Sequence, residues 1–284
     1  MTIRVKAGVV TYTRTESLES CLASLMAQTH PLDDIIVVDN HPEESKENRL
    51  RQLCPTLTYL PHDNIGTAGG FGAILREAAG SCDYVWLFDD DVTMGSEVLE
   101  QIVARIPELE EQGRLGAVRP WYEARTDPTP IPIGQFAWRG VLVSTRAVAE
   151  VGYPDAELFM YGADIDYSLR IAKAGFRMFI VPDALINAGG EETKTVLTIG
   201  PFSTQCHTSP FRLYYGLRNE LIVSRRHSMP GRYLKTNLYG LRLLPFASLA
   251  WQGSKSQALK AIAKGLWHGN IGRRGKLLYP RDTS

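Results

Sequence analysis

Cysteine is scarce in this sequence and long apolar runs are missing, and each shortage narrows what the chain can be. Its four cysteines, Cys21, Cys54, Cys82 and Cys206, lie far apart with no CxxC pair, which points away from a zinc site or a disulfide framework and fits a reducing cytosol. No segment reaches the roughly 18 apolar residues that a spanning helix needs, and the start, Met1 to Lys6, lacks the apolar core of a secretion signal. The expectation is a chain that is soluble or lies on a membrane. Neither GxGxxG at the usual spacing nor the Gly-Lys-Ser/Thr of a phosphate-binding loop occurs. Net charge is absent too, with 31 Lys and Arg against 31 Asp and Glu, but that balance conceals a gradient. From Phe211 onward 14 basic residues meet only Glu220 and Asp282, so the tail carries a surplus of 12 positive charges and the rest a matching negative one. An acidic catalytic body with a basic tail for phosphate, nucleic acid or an anionic membrane is implied.

What is present is ordinary globular material, 284 residues with 44% hydrophobic and 22% charged, enough for a sizeable core. Its most informative stretch runs from Tyr84 to Val92, five apolar residues leading straight into Asp89, Asp90 and Asp91. An unalternating apolar run of this length suits a strand buried on both faces, and ligands gather at the carboxyl ends of such strands. Three adjacent carboxylates repel one another. A divalent cation would neutralise them, and an all-oxygen set favours Mg2+ or Mn2+. A solvated acidic turn before the next helix is the competing reading.

Along the chain, Val5 to Thr11 predicts a first strand and Ser17 to Ala27 a helix, through Leu18, Cys21, Leu22 and Leu25. Ile35 to Val38 repeats the strand pattern and stops at Asp39 and Asn40. A polar helix from Glu44 to Leu53 and a short strand, Leu57 to Leu60, follow. This alternation argues for an α/β fold with a parallel sheet. The segment from Asp63 to Gly72 is glycine-rich and leads into a predicted helix, Phe71 to Ala79. It either turns backbone N–H groups toward a phosphate or needs small residues to pack that helix on the sheet. Beyond the acidic triplet, Glu97 to Ile106 reads as helix and Gly116 to Arg119 as strand. Thr126 to Ile133 carries three prolines that forbid regular structure and suit a mobile loop over the site. Trp138 to Val143 reads as strand. A second acidic cluster, Asp164 and Asp166, opens a helix from Asp164 to Ala174 that Gly175 closes, and plain helix capping accounts for those carboxylates unless other information intervenes.

Taken together, a strand ending in Asp39, DNIGTAGG at Asp63 to Gly70, FDDDV at Phe88 to Val92, FMYGADIDYSLRIAKAGF at Phe159 to Phe176, and RLYYGLRN after Phe211 resemble the inverting glycosyltransferase family 2. The galactofuranosyl- and rhamnosyltransferase-like members are the nearest match, over almost the whole chain. The resemblance implies a GT-A fold. Residues 1–210 would form the catalytic domain, with a Rossmann-like nucleotide-sugar-binding half (1–92) on a mostly parallel sheet and an acceptor half (93–210). Residues 211–284 would form a basic helical tail.

Carried over by position, the resemblance implies that Thr11, Asp39 and Asp63 bind the donor, the two aspartates through its nucleobase and ribose. Asn64, Ala68, Gly69 and Gly70 would shape the pocket for diphosphate and sugar. Asp89 and Asp91 would hold Mn2+ or Mg2+, with Asp90 near the donor sugar. The general base would be Asp164, with Asp166 second, because Ala163 stands where the family has the first acid of a pair. Asn187 stands where a histidine often completes the metal shell, so Asn187 or His207 would substitute. The implied activity is sugar transfer, galactofuranose or rhamnose, from a UDP-sugar or a dTDP-sugar, with UDP favoured. The acceptor would be a glycan or a polyprenyl-diphosphate-linked glycan of cell-surface polysaccharide, reached from the cytoplasmic face of the membrane. Apolar residues from Leu241 to Trp251, flanked by lysine and arginine, suit such a surface. A tail that packs on the body or on a second copy is the alternative, and nucleic acid is not expected, for want of a motif. Two other functions compete: a nucleotide-sugar-binding scaffold subunit, motivated by Ala163 and Asn187, and a nucleotidylyltransferase. The missing glycine after the first strand speaks against the latter.

Overall fold

The computed structural model describes residues 2–123, 125–189 and 194–277, and their contacts divide into two units. One comprises residues 1–156 and 167–190, the other 157–166 and 191–284; Asp282 of the basic tail lies outside the described residues.

The first unit is a sheet with helices on both faces. In chain order its elements are β1 (Val5–Thr11), α1 (Thr15–Met26), β2 (Asp34–Asp39), α2 (Glu44–Leu53), β3 (Thr58–Pro61), α3 (Gly66–Glu77), β4 (Tyr84–Asp89), β5 (Val92–Met94), α4 (Val98–Glu111), β6 (Leu115–Trp121), β7 (Ile131–Ile133), β8 (Val141–Ser144) and α5 (Thr145–Val151). Helix α6 (Ala163–Lys173) begins among residues of the second unit and ends in the first, followed by β9 (Arg177–Ala188). The strands run in the order β3-β2-β1-β4-β8-β6-β9-β5, with β7 beside β9. β1, β2, β3 and β4 pair in parallel, as do β6 and β9, whereas β8 is antiparallel to both β4 and β6. Six of these strands therefore point one way, and β5, β7 and β8 the other.

Burial on both faces explains the unbroken apolar runs. One face packs Leu18, Leu22 and Leu25 of α1 and Leu99, Ile102 and Ile106 of α4 against Val9, Val37 and Trp86. The other packs Phe71, Ile74 and Leu75 of α3 and Tyr167 and Ile171 of α6 against Val38, Val85 and Val143. Each such side chain, fully buried, contributes roughly 1.5–3 kcal/mol.

Register then assembles an edge. Thr11 pairs with Asp39 and Val10 with Asp89, so the last residues of β1, β2 and β4 lie side by side at their carboxyl ends. Helix α3 starts at this edge because it lies directly on β1: a Cβ on Gly70 would stand 2.8 Å from Val10 Cγ1. Its glycines belong to the helix itself, which begins at Gly66 and not at Phe71 as the periodicity predicts. Packing is thus one use of this glycine cluster. The proline-rich segment also departs from expectation. It forms the short strand β7, antiparallel to β9, where an edge position tolerates the missing N–H of Pro132.

The second unit contains the hairpin β10 (Lys194–Ile199) and β11 (Phe202–His207), then α7 (Pro210–Arg226), α8 (Pro230–Leu249) and α9 (Lys255–Ile271). Ser209 caps α7 through Arg212 N–H and Ser254 caps α9 through Gln257 N–H. Leu213, Leu217, Leu243, Phe246, Trp251 and Ile262 form its core.

The contact between α3 and β1 is testable. Gly70→Ala should destabilise the protein by about 1–3 kcal/mol in a denaturant titration, since Val10 has to give way. Gly95→Ala, where nothing lies within 4 Å of the added carbon, should change little.

Candidate active site

The carboxyl edge of the parallel strands is a set of acids, and Asp39, Asp90 and Asp91 each accept from an internal donor. Asp39 is wholly buried. Its Oδ1 accepts from Lys46 Nζ at 2.7 Å and from His41 N–H at 2.9 Å, and its Oδ2 accepts from the Tyr59 hydroxyl at 2.7 Å. Lys46, buried as well, also donates to Tyr12 O at 2.8 Å, so one cation joins the end of β2 to the segment after β1. Burial, followed by the hydrogen bond to Asp39, pushes the Tyr59 hydroxyl up and keeps it protonated. Next to Asp39, Asn40 Oδ1 accepts from Ile65 N–H at 2.8 Å, which fixes the start of α3. Asn64 sits there at φ 33, and Asp63 is exposed.

In the acidic triplet Asp90 is the buried member. The Thr11 hydroxyl donates to its Oδ2 at 2.7 Å. Burial holds Asp90 above the ordinary carboxylate range, opposed by the bond from Thr11 and the charge of Arg14. Asp89 and Asp91 are half-buried. Arg14 Nη1 donates to Asp91 Oδ2 at 2.8 Å, while Asp91 Oδ1 is buried without a hydrogen-bond donor. Below them on α1, Cys21 is pushed well above the usual thiol range, by burial first and then by the three aspartates. It is therefore no nucleophile.

Among the described residues no three His, Cys, Asp or Glu side chains gather as a cage for a metal ion. Mg2+ and Mn2+ do not require one, because they bind through one or two carboxylates with water and substrate phosphate completing the shell. The carboxylate oxygens of Asp89 and Asp91, of which Asp91 Oδ1 lacks a protein donor, fit that pattern. Asn187 is exposed on β9 and pairs with Thr93 of β5. His207 ends β11 in the second unit, its ring 4.8 Å from that of Tyr161.

The second acidic cluster belongs to the second unit and its two members differ. Asp166 is fully buried, and its Oδ1 accepts from Arg226 Nη1 and from His227 Nε2, both at 2.9 Å. Asp164 is half-buried. Its Oδ1 accepts from Ile165 N–H at 2.9 Å, and its charge adds to the Glu220 hydrogen bond that raises Arg232. The loop before them is strained, with Phe159 at φ 65 and Tyr161 at φ 57. Two side chains of α7 hold it: Asn219 Nδ2 donates to Leu158 O at 2.8 Å and Tyr161 O at 2.9 Å, and Arg218 Nη2 to Leu158 O at 2.9 Å. Strain of this kind persists only where surroundings over-determine it.

Sequence reasoning missed Arg14, Lys46, Tyr59, Arg226 and His227. No spacing marks them, because each meets a partner outside its own element, from 7 residues away for Lys46 and Asp39 to 77 for Arg14 and Asp91. Arg218 and Asn219 were legible only as part of the RLYYGLRN segment.

A mostly parallel sheet with helices on both faces and carboxylates gathered at its carboxyl edge is the architecture of a GT-A glycosyltransferase. The chain belongs to glycosyl transferase family 2, whose family model matches residues 7–139. It is 30% identical over 266 residues to the galactofuranosyltransferase GlfT1 of Mycobacterium tuberculosis (strain ATCC 25618 / H37Rv), covering 81% of this chain and 84% of that enzyme. It is 25% identical over 234 residues to the N-acetylglucosaminyl-diphospho-decaprenol L-rhamnosyltransferase of the same organism, covering 65% and 75%. Among solved structures, the fold resembles GalNAc-T7 with UDP, GalNAc and Mn2+, at a TM-score of 0.63 and 13% identity over 93% of this chain and 54% of that one. It also resembles the mannosyltransferase PcManGT of Pyrobaculum calidifontis in complex with GDP-Man and Mn2+, at 0.58 and 16% identity over 98% and 77%.

Two expected outcomes follow from the acid–donor pairs. Lys46→Met should cost about 3–5 kcal/mol, because Asp39 is left charged and buried. Adding Asp39→Asn should restore part of that loss in a double-mutant cycle of denaturant titrations. The Asp90 carboxyl is raised in the folded state, so its stabilising contribution is complete in acid and is lost as pH rises out of the carboxylate range. Asp90→Asn keeps an acceptor for Thr11 and removes the buried charge. It should melt above the wild type at neutral pH, and the gap should close in acid, as thermal melts across pH will record.

Proposed function

We propose that this glycosyltransferase transfers galactofuranose or rhamnose from a nucleoside diphosphate donor, with inversion, to a glycan or polyprenyl-diphosphate-linked glycan acceptor. The observation that carries the reading is the alignment of Thr11, Asp39 and Asp89 at one sheet edge, with Asp91 Oδ1 buried there and lacking a donor. The names of the relatives support the two sugars. In this proposal Asp89 and Asp91 hold Mn2+ or Mg2+, with His207 or Asn187 as the candidate third protein ligand. When bound, the cation stabilises the negative charge that develops on the departing diphosphate. Asp63, Asn64, Ala68, Gly69 and Gly70 bind and shape the donor. Asp39, having both oxygens engaged, acts on the nucleoside through the groups it positions. Asp90 serves the donor sugar by orienting Thr11 and the turn. A UDP-sugar is favoured over a dTDP-sugar.

The reaction is one displacement at the anomeric carbon. The acceptor oxygen bonds to that carbon as its bond to the diphosphate oxygen breaks, the bonding pair leaves with the diphosphate, and the hydroxyl proton passes to a carboxylate. A hydroxyl is a poor nucleophile near neutral pH, so the base must be within hydrogen-bond reach. Asp164 is our assignment. Asp166 is disfavoured by its complete burial and its partners Arg226 and His227, and it serves as an anchor for the start of α6. Ala163, where the family has an acid, favours one other reading, a donor-binding subunit without turnover.

The test uses purified protein and a panel of nucleotide sugars, reading release of nucleoside diphosphate. Excess chelator and Asp91→Asn should each abolish most release. Asp164→Asn should slow it by about 10²–10⁴-fold with nucleotide affinity retained. If Asp164 were only a helix cap, that variant would lose about 1 kcal/mol of stability and stay active. Tight binding of a nucleotide sugar with no release under any condition would select the donor-binding subunit instead.

A further inference from the structure

Helix α8 is apolar on two opposite sides. One side, Thr236, Gly240, Leu243, Phe246 and Ala247, is buried in the second unit. The other carries Leu234, Leu238, Leu241 and Leu249, all between 55% and 63% exposed, with exposed Pro245 in the same row. Steps of four, three, four and four residues place these five on one stripe of a helix. At 1.5 Å per residue the stripe is about 22 Å long. Soluble surfaces rarely leave so continuous an apolar row uncovered. Beside it, Arg242 Nη2 donates to Ser203 O at 2.7 Å, which brings the β10–β11 hairpin alongside, and the preceding residue, Phe202, is 68% exposed.

The charge around the stripe selects what covers it. The charged side chains on α8 and beside its end are Arg232, paired to Glu220, together with Lys235, Arg242 and Lys255, whose Nζ donates to Leu249 O at 3.1 Å, and α8 itself carries no acid. A second copy docked face to face would set Lys235, Arg242 and Lys255 of each copy against one another with no acid on α8 to neutralise them. Nucleic acid would satisfy the cations but leave the leucines in water. A bilayer with anionic headgroups meets both demands at once, because phosphates face the cations while leucine and phenylalanine enter the acyl boundary. Among the described residues no helix is long and apolar enough to cross a membrane, so α8 would lie in the interface plane. We propose that the Leu234–Leu238–Leu241–Leu249 face of α8, with Phe202 beside it, is a docking surface for an anionic lipid bilayer.

Co-sedimentation of the full-length protein with phosphatidylcholine vesicles, with and without phosphatidylglycerol, tests this without any turnover, so the outcome is separable from the catalytic reading. Binding should be strong only to the anionic vesicles and should weaken in high salt. Changing Leu234, Leu238 and Leu241 together to serine should reduce it by roughly a hundredfold, with circular dichroism and melting temperature retained. A second measurement does not depend on how that variant folds. All four native cysteines are buried, so Leu238→Cys can be labelled selectively with an environment-sensitive dye. Its emission should shift to the blue on anionic vesicles, whereas the same dye at Leu53→Cys, exposed on α2 of the first unit, should not respond. Equal weak binding to both vesicle types, unaltered binding by the triple serine variant, or an unresponsive dye at residue 238 would each overturn the proposal. So would conversion of a dimer to a monomer by the serine changes, which would identify the cover as a second copy.

Discussion

Carboxylates gathered at the end of a parallel sheet repel one another and resist burial, so the architecture of the first unit depends on giving Asp39, Asp90 and Asp91 a donor or a cation. Asp39 would be untenable at zero exposure without Lys46, Tyr59 and the His41 N–H. Asp90 relies on Thr11, and Asp91 on Arg14. These bonds do more than neutralise charge. Lys46 and Arg14 reach from neighbouring segments, so the charge balance also sets the course of the chain after β1 and β2. Together with the Asn40–Ile65 bond that starts α3, they make the sheet edge a pre-formed surface rather than a group of mobile loops.

In the second unit the same logic works with backbone carbonyls. The loop leading to Asp164 holds two non-glycine residues at positive φ, a conformation that costs of order 1–3 kcal/mol each. Arg218, fully buried, and Asn219 offset that cost by donating to the loop's carbonyls. Arg226 and His227 close on Asp166 from the end of the same helix. Helix α7 is thus a frame for the acidic helix start, and the side chains that hold the frame are separated from what they hold by about sixty residues of sequence.

Asp164 and Asp166 stand two residues apart on one helix turn, yet one is locked into a buried ion cluster and the other is half-exposed. Their chemical difference arises from what α7 presents to each. Composition gives no hint of it, because both are aspartates in the same helix start.

By itself, the sequence determined the elements whose causes are local. The apolar β-branched runs of β1, β2 and β4 encode strands covered on both faces. The leucine spacing of α1 encodes a helix packed on one side, and the triplet after Phe88 places acids at a strand's carboxyl end. The family motifs were legible for the same reason, since each is a contiguous string. Tertiary structure decided everything that depends on a partner far along the chain. It made Pro132 part of an edge strand and began α3 at Gly66, against the body of β1. It buried Asp39 and Asp166 while leaving Asp164 half-open, and it turned one leucine row of α8 outward while the opposite row entered the core. Periodicity shows that a helix has an apolar face; only packing decides which face remains in water, because that depends on the area a distant segment covers.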